Sequence, residues 1–156
     1  MVAFIIGDKM NQYMKEAYKE AVKAKLKDEV PIGAVIVYDG KIISRAHNLR
    51  ESKQRSTAHA EILAIEKACK KLNSWRLDNC ELYVTLEPCP MCAGAILQSR
   101  IKKIYYGALD PKGGSICSCM NMYEHKGYNH YPQTEAMIDD KCSEILKEFF
   151  RQKRMK

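Results

Sequence analysis

Two short stretches of this sequence constrain its fold more than any other feature, because their side chains have to meet around one site. They read Thr57-Ala58-His59-Ala60-Glu61 and Glu87-Pro88-Cys89-Pro90-Met91-Cys92. An imidazole and two thiolates are donors that suit zinc in proteins. Cys89 and Cys92 are three positions apart, so a helix would place both on one face. The sequence therefore predicts one zinc ion held by His59, Cys89 and Cys92.

The glutamate of the first stretch indicates what such a zinc ion would do. Three protein ligands leave the fourth tetrahedral position open, which is typical of catalytic zinc sites. Glu61 lies two residues after His59 and is not needed as a ligand, so we expect it to move protons for a water molecule that the zinc activates. The alternative is a structural zinc site with Glu61 exposed to solvent, and the combination of the two motifs disfavours it.

Charge and cysteine content bear on partners and location. The 156 residues include 26 lysines and arginines against 19 aspartates and glutamates, a net charge of +7. This excess favours a polyanionic partner such as nucleic acid, although charge alone fits a generally basic protein equally well. The chain has seven cysteines and no recognisable secretory signal, so we expect reduced thiols and a cytoplasmic location. No apolar run is long enough to span a membrane.

Hydrophobic periodicity and turn residues predict an α/β fold in one domain over residues 1–156. The Asp39-Gly40 pair joins two strands into a hairpin, which makes the sheet mixed rather than wholly parallel. The first strand is apolar throughout, which indicates burial on both faces. The predicted strands are 33–38, 41–46, 81–86, 104–107 and 133–138. The predicted helices are a first one capped by Asp8 that ends near 26, then 58–72, 89–98 and a last one capped by Asp139 or Asp140. The predicted loops are 48–55 and 110–130.

Both motifs fall at helix N-termini in this assignment. Thr57 is a suitable N-cap, which places His59 in the first turn of its helix. Pro88 suits the opening of the next helix, which places both cysteines in a first turn. Because the positive end of a helix dipole favours thiolate, we expect the zinc ion to lie between two helix N-termini.

Three further groups of side chains have open interpretations. Asn48 follows a strand that should run toward the site, where its amide could contact a base edge or simply form a turn. Cys117 and Cys119 could join nearby histidines in a second metal site, but no ligand spacing supports one, so we interpret them as loop thiols. The basic C-terminal residues, including Arg151 and Lys153, could contact RNA phosphates or form a solvated tail.

Six stretches carry a resemblance to a known family: EVPIGAV at 29–35, TAHAE at 57–61, LYVTLEPC at 82–89, MCAGA at 91–95, GALDPK at 107–112 and FFR at 149–151. They resemble the bacterial tRNA-specific adenosine deaminases, within the zinc-dependent cytidine and deoxycytidylate deaminase family. The resemblance implies a cytidine-deaminase-like fold, a three-layer α/β/α sandwich with a mixed five-stranded sheet. It also implies a homodimer, one zinc ion per chain, and hydrolysis of adenosine to inosine at the wobble position of tRNA anticodons.

The resemblance also implies a substrate site and a path for the protons. Glu61 would take a proton from the attacking water and pass it to a ring nitrogen and then to departing ammonia. The segment 115–131 departs from the family pattern. The substrate-binding residues that the resemblance implies are Asn48 against the purine, Glu29 and Asp110 lining the anticodon pocket, Ala60, and Arg151 and Lys153 along the RNA.

Two other functions stay open from the sequence. A deaminase of a free purine base or nucleotide, such as guanine deaminase, shares the zinc motif, but the basic C-terminal helix and the LYVTLEPC stretch favour tRNA. A zinc-stabilised RNA-binding module without catalysis would not need Glu61. The sequence therefore predicts a tRNA adenosine deaminase.

Overall fold

The computed structural model describes residues 10–155. Five strands form one sheet in the order β2-β1-β3-β4-β5. The elements in chain order are α1 (Gln12–Leu26), β1 (Gly33–Tyr38), β2 (Lys41–His47), α2 (Arg50–Lys53), α3 (Ala60–Leu72), β3 (Cys80–Val84), α4 (Pro90–Gln98), β4 (Lys103–Tyr106), a 3-10 turn (Met122–Glu124), β5 (Gln133–Ala136) and α5 (Asp140–Arg154).

The sheet is mixed, as predicted. Strand β1 pairs antiparallel with both β2 and β3, while β3, β4 and β5 run parallel to one another. The β1–β2 hairpin turns at Asp39 and Gly40, whose φ angles are 52° and 74°. Two successive residues with positive φ match the right-handed twist of the flanking strands, which is why an Asp-Gly pair is favoured there.

Helices cover both faces of the sheet, which gives the predicted three-layer α/β/α sandwich. Ala34 and Ile36 of β1 pack in the core cluster that contains the buried residues of α3 and α4. Val35 and Val37 point to the other face and pack against α1. Helix α5 covers this second face beside α1. At Gly33 the backbone of α1 comes so close that an added Cβ would overlap the Ala17 carbonyl oxygen.

Three predicted helix starts were wrong, and β3 and β5 end two residues earlier than predicted. Helix α1 begins after Asn11, whose side chain accepts hydrogen bonds from the N–H groups of Tyr13 at 3.1 Å and Met14 at 2.9 Å; Asp8, the predicted cap, lies outside the described residues. Helix α3 begins at Ala60, so His59 is its N-cap rather than a first-turn residue.

Helix α4 likewise begins later than predicted. Pro90 is its first residue and Cys89 is its N-cap, because proline has a suitable φ and no N–H to satisfy at the first helical position. The predicted loop 48–55 contains the short helix α2, which a tertiary contact from Glu29 supports through the N–H groups of Glu51 and Ser52. A contact so distant in sequence leaves no local signal.

The topology brings the predicted site residues to one edge of the sheet. Gly33 at the start of β1 pairs with His47 at the end of β2, and Val84 at the end of β3 pairs with Tyr106 at the end of β4. The segments that continue from these strand ends contain Glu29, Asn48, Glu87 and Asp110, and the N-termini of α3 and α4 lie at the same edge.

None of the helices within residues 10–155 has both the length and the apolar composition of a membrane-spanning segment.

Candidate active site and metal centre

Three donor atoms meet where helices α3 and α4 begin. The Nδ1 atom of His59 lies 3.7 Å from the Sγ atom of Cys89 and 3.5 Å from that of Cys92. His59 and Cys89 are both N-caps with extended backbone, at ψ 153° and 173°. Their side chains make no capping hydrogen bond, so both are free to turn toward the site. Cys92 comes from the first turn of α4 and is buried.

The spacing of these donors fits a zinc ion. Ideal Zn–N and Zn–S bonds at a tetrahedral angle place nitrogen and sulfur about 3.6 Å apart, which matches the two distances from His59. Among the described residues, only His59, Cys89 and Cys92 form a group of three or more metal donors within 4.8 Å of one another. Cys117 and Cys119 are exposed free thiols outside this group, in agreement with their interpretation as loop thiols.

Hydrogen bonds among the three donor groups shift their pKa values in different directions. A hydrogen bond from Cys92, and a further one from His59, lower the pKa of Cys89 to about 4 against the effect of burial. The hydrogen bond to Cys89, together with burial, raises the pKa of Cys92. The hydrogen bond to Cys89 also raises the pKa of His59. The three groups therefore share protons that a bound cation would displace.

Glu61 adds a carboxyl group that can change its charge near neutral pH. Its side chain is buried in the first turn of α3, and burial raises its pKa to about 7. Cys92 lies within hydrogen-bond reach of the carboxyl group. Glu61 does not belong to the group of mutually close donors, so the geometry separates it from the three candidate ligands. A buried carboxyl group with this pKa is suited to general acid–base catalysis.

Asn48 and Ala60 are both buried, Asn48 directly after the end of β2 and Ala60 between His59 and Glu61. The Asn48 backbone N–H donates to the Ile32 carbonyl oxygen at 3.1 Å, but the buried side-chain Oδ1 atom has no hydrogen-bond partner in the described structure. A buried acceptor without a partner is unfavourable in a closed protein and is explained readily when a ligand supplies the donor. Asn48 could therefore accept a hydrogen bond from a ligand, and its contact with a base stays a prediction.

Glu29 and Asp110 use their carboxylates largely within the protein. Glu29 is buried and accepts hydrogen bonds from the N–H groups of Glu51 at 3.0 Å and Ser52 at 2.5 Å, and from the Ser52 hydroxyl. Asp110 is partly exposed and accepts from the N–H groups of Lys112 at 3.1 Å and Gly113 at 3.2 Å. Both side chains therefore shape the loops at this edge of the sheet.

The C-terminal helix reaches the same edge. Arg151 and Lys153 are exposed, and the Lys153 Nζ atom lies 2.6 Å from the Asp28 Oδ2 atom, in the segment that leads into β1. Phe149 is buried and Phe150 is exposed, so one of the two phenylalanines belongs to the core.

Glu87 is a residue at the site to which the sequence alone assigned no role. Its carboxylate accepts five hydrogen bonds beside the site. The signal available in the sequence was an acidic residue between an apolar strand and Pro88.

Comparison with known proteins defines the class of this fold and site. The family model of MafB19-like deaminases matches residues 8–154. The tRNA-specific adenosine deaminase of Bacillus subtilis is 55% identical over 92% of this chain and 90% of its own length. That of Aquifex aeolicus is 48% identical, over 91% and 94%. The chain is a deaminase, and it belongs to the family of the tRNA-specific adenosine deaminases.

Solved structures agree with this assignment. A structure from a study of A-to-I editing by tRNA:A34 deaminases at the wobble position is 44% identical and has a TM-score of 0.82, covering 86% of this chain and 98% of that one. A guanine deaminase from Bacillus subtilis is 45% identical with a TM-score of 0.61, over 64% of this chain and 66% of that one. The predicted fold and family are therefore confirmed.

Proposed function

We propose that this chain hydrolyses adenosine to inosine at the wobble position of tRNA anticodons, releasing ammonia. The observation that carries the proposal is the meeting of His59, Cys89 and Cys92 beside the buried carboxyl group of Glu61. This constellation stands in a chain whose relatives, at 55% and 48% identity, are tRNA-specific adenosine deaminases. Such a substrate also implies the predicted cytoplasmic location.

His59, Cys89 and Cys92 would hold one zinc ion per chain. His59 would bind through Nδ1, the ring atom that faces both sulfur atoms. When bound with three protein ligands, zinc supplies an activated water molecule as the nucleophile. Because two thiolates offset most of the charge of the ion, a separate protein base is needed to take the proton from that water.

Glu61 is proposed as this base. With its pKa raised to about 7 by burial, the carboxylate can accept one proton from the nucleophile and still give it up later. It would pass this first proton to a ring nitrogen of adenine, then accept the second proton from the hydroxyl group that has added to the base and pass it to the amino group, which leaves as ammonia. Hydrolysis is balanced by one water consumed for each ammonia released.

Asn48 is proposed to bind the purine. Its unpartnered Oδ1 atom can accept from a base N–H, while the amide nitrogen donates to a base acceptor. Ala60 lies between His59 and Glu61 and is buried, and it is proposed to lie against the base. Glu29 and Asp110 would act on the anticodon pocket through the loops that they hold.

Arg151 and Lys153 are proposed to contact phosphates near the anticodon loop. Such contacts position a nucleic acid without reading its sequence, and the exposed end of α5 lies at the same edge of the sheet as the site.

The homodimer implied by the resemblance stays a prediction, which sedimentation equilibrium of the purified chain would test.

The decisive assay offers two substrates side by side. An anticodon stem-loop RNA with adenosine at the wobble position and free guanine are each incubated with the protein, and the products are analysed by nucleoside chromatography. The proposal expects inosine from the RNA and no xanthine from guanine. Xanthine without inosine would establish a free-base deaminase instead, and RNA binding without either product would indicate a non-catalytic module.

A further inference from the structure

Glu87 is a buried carboxylate that is enclosed by hydrogen-bond donors. Its side chain is 1% exposed. Oε2 accepts from the backbone N–H groups of Ile116 at 3.0 Å, Cys117 at 2.8 Å and Ser118 at 2.9 Å. Oε1 accepts from the N–H of Asp110 at 3.1 Å and from the Ser118 hydroxyl. The loop 110–118 is thus wrapped around one side chain.

The same carboxylate belongs to the segment that delivers two candidate metal ligands. Glu87 precedes Cys89 by two residues, between the end of β3 and the start of α4. Two backbone hydrogen bonds also join this segment to the chain that follows β4. The Glu87 N–H donates to the Ala108 carbonyl oxygen at 2.9 Å, and the Ser115 N–H donates to the Pro88 carbonyl oxygen at 2.8 Å. Loop 110–118 and the metal-binding segment therefore form one connected unit.

The fit between loop and carboxylate leaves no spare room. Gly114 lies so close that an added Cβ would overlap the Glu87 carboxyl group. The charged form is the one that this loop holds, because each donor points at a carboxylate oxygen.

We propose that Glu87 is a positioning residue for substrate binding, because it fixes loop 110–118, and with it Asp110, against the segment that contains Cys89 and Cys92. The inference rests on the proposed deaminase function. Glu87 does not act on the substrate itself, since both of its oxygens are occupied and its side chain is enclosed. Its removal should therefore affect RNA binding more than the chemical step.

The test uses two variants that disturb the same contact from opposite sides. Glu87→Gln removes the charge with little change in size, and Gly114→Ala inserts a methyl group that pushes the loop away. Glu81→Gln is the matched control, because Glu81 is a partly buried acid on β3 that accepts only from the Tyr105 hydroxyl at 3.0 Å in the described structure. Zinc content, amide hydrogen exchange, and kcat and KM on the anticodon stem-loop RNA are measured for each.

We expect both loop variants to keep their zinc while their amides at 116–118 exchange at least about 10-fold faster. Misplacing a substrate-binding loop should lower kcat/KM by about 10-fold to 100-fold, mainly through a higher KM. The two changes combined should cost little more than either alone. Unchanged exchange and KM in both variants would overturn the proposal, as would an equal loss in Glu81→Gln.

A failure of the proposed function would look different. It would appear in the wild-type chain, as an absence of inosine from the RNA. The hydrogen-exchange comparison does not depend on activity, so it would still decide whether Glu87 holds the loop. A loss confined to kcat with normal KM would also contradict the inference, because it would place Glu87 in the chemical step.

Discussion

Glu61 and Glu87 are both glutamates with almost no exposed surface, 4% and 1% respectively, yet their surroundings change their acidity in opposite directions. Burial raises the pKa of Glu61 to about 7. At Glu87, hydrogen bonds from the backbone of Cys117 and Ser118 outweigh burial and lower the pKa. Both lie along the chain between the candidate ligands His59 and Cys89, each two residues from one of them.

The difference between these two pockets shows that burial alone does not set the charge of a carboxyl group. Donors that converge on the Glu87 carboxylate stabilise its ionised form, whereas at Glu61 the hydrogen bond from Cys92 and the charge of His59 do not offset burial. The chain thus builds one carboxyl group that can exchange a proton during a reaction and one that stays charged as a fixed support. Substitution by glutamine should separate these roles.

The largest effect is expected for Glu61→Gln. Loss of the proton acceptor should reduce inosine formation by at least about 10²-fold, the lower end for general acid–base catalysis, while zinc content and fold are kept. Glu66→Gln, an exposed position on the same helix, is the control and should be fully active. Loss of zinc together with activity would make Glu61 a ligand rather than a proton carrier.

The next effect concerns stability and its dependence on pH. A carboxyl group with a lowered folded-state pKa stabilises the protein above its unfolded-state pKa of about 4.3, and this contribution is lost as the pH falls through the folded value. Hydrogen bonds to charged groups contribute roughly 1.5–3 kcal/mol each, so Glu87→Gln should lower the free energy of unfolding by about 2 kcal/mol or more at pH 7.

Urea denaturation at pH 7 and at pH 3.5 would measure the free energy of unfolding of the wild type and of Glu87→Gln. The difference between them should narrow at the lower pH, because pH 3.5 lies below the unfolded-state pKa of about 4.3 and the unfolded chain already takes up a proton there. Glu81→Gln, with its single hydrogen bond, should show a smaller difference at pH 7. A difference for Glu87→Gln that is the same at both pH values would mean that the charge of Glu87 contributes nothing.

The smallest effect is expected outside both pockets, on the exposed end of α5. Replacing Arg151 and Lys153 by alanine should reduce the magnitude of the log–log salt slope of RNA binding by roughly 0.7 to 0.9 for each phosphate that is no longer neutralised, with zinc content unchanged. Lys41→Ala, on the hairpin at the opposite edge of the sheet, is the matched control. An unchanged slope in the double variant would show that these side chains are only solvated surface.

The parts of the structure that were predictable from sequence depend on local patterns. The apolar run of β1, the Asp39-Gly40 turn and the spacing of Cys89 and Cys92 each report a nearby physical requirement. They were sufficient for the mixed sheet, the helices on both faces and the convergence of the candidate ligands. Family resemblance then supplied the three-layer arrangement and the deaminase class.

The parts that were missed depend on contacts between distant segments. Helix α2 is supported by Glu29, and the loop 110–118 is organised by Glu87, more than twenty positions away in each case. Neither glutamate belongs to a periodic sequence pattern that would indicate its hydrogen-bond partners. The N-cap positions of His59 and Cys89 were missed by one or two residues because Thr57 and Pro88 offer equally good local signals for a helix start.

The central claim is that inosine formation depends on zinc held by His59, Cys89 and Cys92. Its most direct test removes the metal with a chelator, restores it with one equivalent of zinc, and follows both zinc content and inosine formation on the anticodon stem-loop RNA. We expect loss and full recovery in the wild type, with neither zinc binding nor activity recovered in Cys89→Ala. Inosine formation that persists in metal-free protein, or full zinc occupancy in Cys89→Ala, would contradict it.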